Sequence, residues 1–263
     1  MDRTRKAWIN AILLAVTLVI NTLGALGLIN GLSQKQISDM YLTLITPSPA
    51  TFSIWSVIYS SVILSIIAMI FKQKEPYYQN AVDQISVLFW VSCILNIGWI
   101  ISFSYVLVEL SVLFIVGFVI TLSLIAMKLL RIAEGKRWLL PLSFGLYSGW
   151  LFIATVVNIS AALVKIGWNR FGIADQAWAT IILIVAVLLV IGVLLKNRNA
   201  IFPLPIAWAF FGIFQFLRSP AGFKGEYGLL QVVSLAGMVV LIGVAAIQFY
   251  RNHFSLLPSS SIE

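Results

Sequence analysis

The chain has 263 residues, of which 61% are hydrophobic and 10% charged, with a formal net charge of +8 and a mean hydropathy of +1.02. This balance excludes a soluble globular domain and is typical of a polytopic membrane protein. The basic excess then reports topology, and nucleic acid is not an expected partner. The single cysteine, Cys93, excludes both an intramolecular disulfide and a cysteine-based metal site.

Eight charge-free apolar stretches follow one another along the chain. Each holds about the twenty residues that a helix needs to cross a hydrocarbon core of ~30 Å. They therefore predict an all-α, polytopic membrane bundle of about eight transmembrane helices. The first stretch is longer than the apolar region of a signal peptide, so we expect it to be retained as a helix. The stretches are 7–34, 40–71, 84–108, 110–127, 138–164, 176–195, 199–217 and 227–250.

Lys and Arg residues predict the orientation of these helices. With eight spans both termini lie on one side, which carries twelve basic residues against five on the other. By the positive-inside rule we expect both termini to be cytoplasmic. Membrane lipid is the expected partner of the outer helix surfaces. The larger set comprises Arg3, Arg5, Lys6, Lys72, Lys74, Lys128, Arg131, Lys136, Arg137, Lys196, Arg198 and Arg251. The smaller set comprises Lys35, Lys165, Arg170, Arg218 and Lys224.

The stretch 47–59 leads from a polar loop on the outer face into the second span. Pro47 and Pro49 stiffen the chain before a helix that we expect to begin near Thr51. Spacing places three rings close to one face of that helix. Two interpretations stay open, an aromatic belt at the membrane interface or one wall of an internal site. The ring-bearing residues are Phe52, Trp55 and Tyr59.

Neutral polar residues and rings share single faces of the third and fifth spans. A buried amide is costly in hydrocarbon unless it is hydrogen-bonded, so Asn96 and Asn158 should face the bundle interior. These faces favour either a mostly apolar pocket for a small molecule or helices held together around a solid core. The third-span face comprises Ser92, Asn96, Trp99 and Phe103, and the fifth-span face comprises Tyr147, Trp150, Ala154 and Asn158.

No Asp, Glu, Lys, Arg or His falls well inside any span. General acid and base chemistry requires such a group, and ion-coupled pumps usually carry one at membrane depth. We therefore predict no catalytic residue and no metal ligand. His253 lies beyond the last span and is interpreted as a solvated residue of the tail.

Two connections organise the chain. The short one at 105–109 predicts an antiparallel hairpin, whereas 166–177 is long and polar. We interpret 166–177 as a connecting loop between a five-helix unit, 1–165, and a three-helix extension, 178–250. A cytoplasmic tail, 251–263, follows the extension.

Three motifs on the second, third and fifth spans together resemble the TspO/MBR family of tryptophan-rich sensory proteins or translocator proteins. They are Pro47 to Tyr59, Leu95-Asn96-Ile97-Gly98-Trp99, and Pro141 to Trp150 followed by Ala154 and Asn158. The resemblance covers about residues 1–165, and the chain looks like the longer bacterial branch of the family.

The resemblance implies a five-helix bundle in a bacterial plasma membrane, with a pocket under the first loop. That pocket would accept porphyrins, such as protoporphyrin IX or haem, or other flat hydrophobic molecules, as ligands and not as obligatory cofactors. Asn96 looks like the family's asparagine that hydrogen-bonds ligand. The sequence departs from the family where Ser48 splits the proline pair and where a loop tryptophan is absent. The implied ligand-binding residues are Pro47, Pro49, Phe52, Trp55, Tyr59, Asn96, Trp99, Phe103, Tyr147, Trp150, Ala154 and Asn158.

The expected function is that of a membrane receptor or sensor that binds a hydrophobic small molecule. Two alternatives stay open, a transporter of such a molecule and an enzyme that degrades porphyrin. A second copy of the chain is a further expected partner, as a homodimer.

Overall fold

The computed structural model describes residues 1–132 and 138–258, which form α-helices, two short 3-10 helices and no strand. The first part of the chain contains α1 (Arg3–Ala25), α2 (Gln34–Met40), α3 (Ile54–Phe71), α4 (Pro76–Ser104), α5 (Val108–Arg131) and α6 (Leu139–Lys165). The second part contains α7 (Asp175–Asn197), α8 (Pro203–Arg218) and α9 (Gly228–Arg251). The 3-10 helices are Pro49–Ser53 and Arg170–Gly172.

The predicted all-α membrane bundle is confirmed. Within the described residues, seven helices are long and apolar enough to cross a membrane. The predicted span at 199–217 differs, because α8 has only 16 residues. A helix of that length is about 24 Å long, less than the ~30 Å hydrocarbon core. Ten of the residues of α8 are buried, so it is a helix of the protein interior more than of the lipid-facing surface.

The entrance to α3 and the loop before it also differ from expectation. The prolines lead into the 3-10 helix Pro49–Ser53, and the α-helix itself begins at Ile54, not at Thr51. The short helix α2 was not predicted. Lys136 and Arg137, which entered the orientation count, lie outside the described residues, as does the end of the tail, 259–263.

The two parts of the chain pack on each other where α6 meets α8 and where α5 meets α7. The helix α4 packs on α1 and α5, and α6 packs on α3, α5 and α8. The predicted hairpin is confirmed, because α4 ends at Ser104 and α5 begins at Val108. The division into two domains at 166–177 stays a prediction, but side chains of both parts, such as Phe144 and Phe210, belong to one buried apolar cluster.

Small residues let α8 approach α6 closely. Gly145 and Gly149 are four residues apart on α6, in the spacing that brings membrane helices into close contact. A Cβ atom at Gly149 would lie 2.2 Å from the carbonyl oxygen of Phe202, and one at Gly145 would lie 2.8 Å from Asn199 Nδ2. Asn199 Nδ2 also donates to the carbonyl oxygen of Pro141 at 2.8 Å. The start of α8 is therefore seated directly on the backbone of α6.

A second set of contacts joins the N-terminal parts of α1 and α4. Arg3 Nε and Lys6 Nζ lie 2.6 and 2.7 Å from the carboxylate of Asp83. Within the membrane-spanning part, Asn10 donates to Ser86 Oγ at 3.0 Å and accepts from Trp90 Nε1 at 2.6 Å. These contacts fix how α1 and α4 lie against each other.

Candidate functional site

A cavity of about 360 Å³ lies where α1, α4 and α6 end and where α3 begins. Its volume falls near the lower end of the ~300–1,000 Å³ that is usual for small-molecule sites. The sequence-predicted residues that line it are Pro47, Pro49, Phe52, Trp55, Trp99, Phe103, Trp150, Ala154 and Asn158. The three helix faces that the sequence singled out are thus brought together around one space.

Aromatic rings fix one another in the wall of this cavity. The Trp55 ring lies 6.1 Å from that of Trp150, edge to face, and 6.4 Å from that of Trp99. Phe52 meets Trp150 edge to face at 5.9 Å. On its other side Trp55 stacks on Tyr59 at 5.0 Å, with the ring planes 15° apart. Such offset and edge-to-face contacts are the favoured arrangements of aromatic pairs, so the wall is held in place without a ligand.

Three predicted site residues, Tyr59, Asn96 and Tyr147, lie beneath the cavity and do not line it. Asn96 is fully buried, and its Nδ2 donates to the hydroxyl of Tyr147 at 2.9 Å and to that of Tyr59 at 3.3 Å. Asn96 Oδ1 accepts from Asn21 Nδ2 at 3.1 Å, and Tyr59 donates to Asn21 Oδ1 at 3.0 Å. We call these four residues the Asn96 network. It satisfies the amide of Asn96 with protein partners alone.

Asn158 both lines the cavity and joins helices. Its Oδ1 accepts from Trp99 Nε1 at 2.8 Å, and its Nδ2 donates to Ser111 Oγ at 3.0 Å. Asn158 on α6 therefore sets the position of the Trp99 indole on α4 and ties both helices to α5. Asn158 therefore fits both interpretations, because it bonds neighbouring helices and also lines the cavity.

Two buried donors at the cavity have no hydrogen-bond partner. They are Trp150 Nε1 and Gln34 Nε2, and both residues line the cavity. Most buried donors in proteins are paired. Burial of an unpaired donor destabilises the protein, because its hydrogen bonds to water are not replaced. Both donor atoms are closed off from solvent, so an acceptor atom of a bound molecule would pair with either of them only after a shift of the side chain.

The side of the cavity formed by α2 was not predicted from the sequence. Gln34, Lys35 and Ser38 line the cavity from this helix, and Lys35 forms an ion pair with Asp39. The signal was available, because Ser33 and Gln36 form a capping box at the start of α2. The other lining residues that were missed are Ala25, Ile153, Val157 and Ala161, with Ala209 and Ile213 from α8.

The fold and the cavity define a polytopic α-helical membrane protein with an aromatic-lined internal site. The sequence profile of the family described as TSPO-like protein matches residues 7–247, so the chain belongs to that family. The match extends beyond 1–165 and includes the three additional helices. It makes the chain a multi-pass membrane protein of the sensor or transport type. Comparisons with curated proteins and with solved structures give no match.

Proposed function

We propose that the protein is a membrane receptor or sensor that binds a flat hydrophobic molecule in the aromatic cavity. The observation that carries the proposal is a cavity of about 360 Å³ walled by Trp55, Trp99 and Trp150, one of which keeps an unpaired buried indole N–H. Indole faces and edges favour a planar partner, and the unpaired N–H favours one that bears an acceptor.

A metal-free porphyrin such as protoporphyrin IX is the ligand that we propose first. Its rings suit the aromatic wall, and its carboxylates suit the ammonium group of Lys35 at the α2 side of the cavity, where they would compete with Asp39. Haem suits the cavity less well. Haem iron is usually held by His, Cys, Met or Tyr, and none of these is among the described residues that line the cavity.

The floor of the cavity favours binding over transport. Below the three indoles lies the Asn96 network, and beyond it Phe89, Phe118 and Phe144 are at most 1% exposed. The part of the chain that the structure describes is therefore packed beneath the site, and a solute would need a large rearrangement to pass. Among the described lining residues, Lys35 alone is titratable, and it is paired with Asp39, so no observation favours turnover.

Titration of the purified protein with protoporphyrin IX tests the proposal. The porphyrin absorption band should shift saturably, and Trp150→Phe, which keeps a ring but loses the N–H, should weaken binding roughly fivefold, the value of one hydrogen bond. Trp8→Phe is the matched control, because Trp8 is 52% exposed on α1. Haemin should bind no more tightly than protoporphyrin IX.

Further measurements on the purified protein distinguish a receptor from a transporter and from a porphyrin-degrading enzyme. An equal shift in wild type and in a Trp55→Ala, Trp150→Ala double variant would show that the cavity is not the binding site. Saturable binding without flux into proteoliposomes supports a receptor, whereas flux that depends on the porphyrin supports a transporter. A porphyrin spectrum that decays under illumination would support the degrading enzyme.

A further inference from the structure

The extension contacts the turn through which α3 enters the site. We call residues 48–53 the entrance turn, since it carries Pro49 and Phe52 to the cavity. The amide N–H of Ser48 donates to the carbonyl oxygen of Gly212 at 2.9 Å, and Trp208 Nε1 donates to that of Thr51 at 2.9 Å. Ser48 Oγ also donates to Gln215 Oε1 at 3.2 Å. Three hydrogen bonds from one face of α8 thus hold a segment more than 150 residues earlier in the chain.

The backbone of α8 lies against the entrance turn with no spare room. A Cβ atom at Gly212 would lie 2.0 Å from Thr51 Oγ1 and 2.8 Å from Thr51 Cγ2. Thr51 is buried at 1% exposure, so its side chain has no open space into which to move. Glycine at 212 is therefore a requirement for the observed position of the entrance turn.

The next residues on α8 also belong to the cavity. Ala209 and Ile213 line it, and neither side chain has exposed surface. Because they are packed closely, extra atoms at position 209 have to enter the cavity or displace the residues around it. A larger residue than alanine at this place would therefore push its neighbours into the adjoining part of the cavity.

We propose that α8 completes the ligand site and determines its specificity. In this arrangement Trp208, Gly212 and Gln215 position the entrance turn, and Ala209 limits the size of the molecule that fits. The five-helix unit alone, which the family resemblance implies, lacks this wall. The inference rests on the proposed function for its ligand, but the position of the entrance turn is measurable without one.

The first experiment uses no ligand. A nitroxide label at Ala50→Cys, in a Cys93→Ser background, reports the mobility of the exposed part of the entrance turn. Gly212→Ala and Trp208→Phe should each increase that mobility. Gly192→Ala is the matched control, because a Cβ atom there meets nothing within 4 Å. Identical spectra in all four proteins would overturn the positioning role of α8.

Second-site rescue separates positioning from a general loss of structure. Thr51→Ala removes the two atoms that a Cβ at Gly212 would overlap most closely. The Gly212→Ala, Thr51→Ala double variant should therefore bring the label mobility back toward the wild-type value and restore part of the affinity that Gly212→Ala loses. If Gly212→Ala does not fold, Trp208→Phe and Gln215→Leu carry the same test. A double variant no better than Gly212→Ala would contradict the direct contact.

The second experiment measures the affinity for protoporphyrin IX. Overpacking at Gly212→Ala should raise Kd about tenfold, whereas Gly192→Ala should leave it unchanged. Ala209→Leu should exclude protoporphyrin IX while Ala236→Leu, on an exposed position of α9, should not. If wild type, Gly212→Ala and Ala209→Leu all bind protoporphyrin IX with the same Kd, the role of α8 is refuted and the proposed function still stands. Wild-type protein that fails to bind refutes the proposed ligand, and the label mobility still decides the role of α8.

Discussion

Replacement of Asn96 by leucine distinguishes a residue of the scaffold from a residue that contacts ligand. The family resemblance implies that Asn96 hydrogen-bonds the ligand. In the structure the side chain is fully buried, and Tyr147, Tyr59 and Asn21 already use its amide group. We therefore expect Asn96→Leu to lower the free energy of unfolding and to change ligand affinity only a little.

The magnitude follows from the three hydrogen bonds that the change removes, at 2.9, 3.3 and 3.1 Å. Hydrogen bonds between membrane helices contribute on average about 0.6 kcal/mol, so the loss should be about 2 kcal/mol. The free energy of unfolding is measured by SDS titration in mixed micelles. The matched control is Asn10→Leu, which removes two hydrogen bonds of another buried asparagine and should cost about 1 kcal/mol.

The affinity measurement supplies the contrast. Asn96→Leu should change Kd for protoporphyrin IX by less than about threefold, less than 0.7 kcal/mol. Asn158→Leu, which alters a lining residue and releases the Trp99 indole, should weaken it about tenfold. An Asn96→Leu variant that binds tenfold more weakly or worse, with the wild-type free energy of unfolding, would show that Asn96 contacts the ligand.

Three further predictions concern the scaffold, and all are read as free energies of unfolding. Gly98→Ala places a Cβ atom 2.5 Å from an α5 ring and should cost about 1–3 kcal/mol, whereas Gly243→Ala, which meets nothing, should be neutral. Asp83→Asn breaks partly exposed ion pairs with the N-terminal basic residues and should cost less than about 1 kcal/mol, a difference that high salt should remove. Asn199→Ala loses the hydrogen bonds to the Pro141 carbonyl and from the Ile201 amide and should cost about 1–2 kcal/mol. An unchanged free energy of unfolding would contradict the described packing of α8 on α6.

Helical periodicity predicted much of the site, because residues at i, i+4 and i+7 share one face of a helix whatever surrounds it. Trp99 and Asn158, selected on different helices for this reason, are joined by a hydrogen bond of 2.8 Å. Periodicity also placed Trp150 inward, and its ring is in contact with that of Trp55, for which an interfacial belt had stayed open. The cost of an unpaired amide in hydrocarbon correctly predicted that Asn96 and Asn158 are buried.

Periodicity does not give the depth of a residue along its helix or the partner that it meets. Asn96 shares a face with Trp99 but lies nearly one turn deeper, where tyrosine hydroxyls take up its amide. Ala209 and Ile213 carry no polar signal, so nothing in the sequence marks them as lining residues. The length of α8 was overestimated because a charge-free stretch includes the turn before a helix as well as the helix.

The packing of α8 against α6 and against the entrance turn has a consequence for biosynthesis. A chain is made from its N-terminus, and its earlier parts fold first. Ser48 and Gln215 are 167 residues apart in the sequence, so the last contacts of the entrance turn form only after α8 has left the ribosome and entered the membrane. A nascent chain arrested before residue 200 should already hold its aromatic residues in a bundle but should remain unable to retain ligand. On the function proposed above, the ligand site would be completed late in membrane insertion.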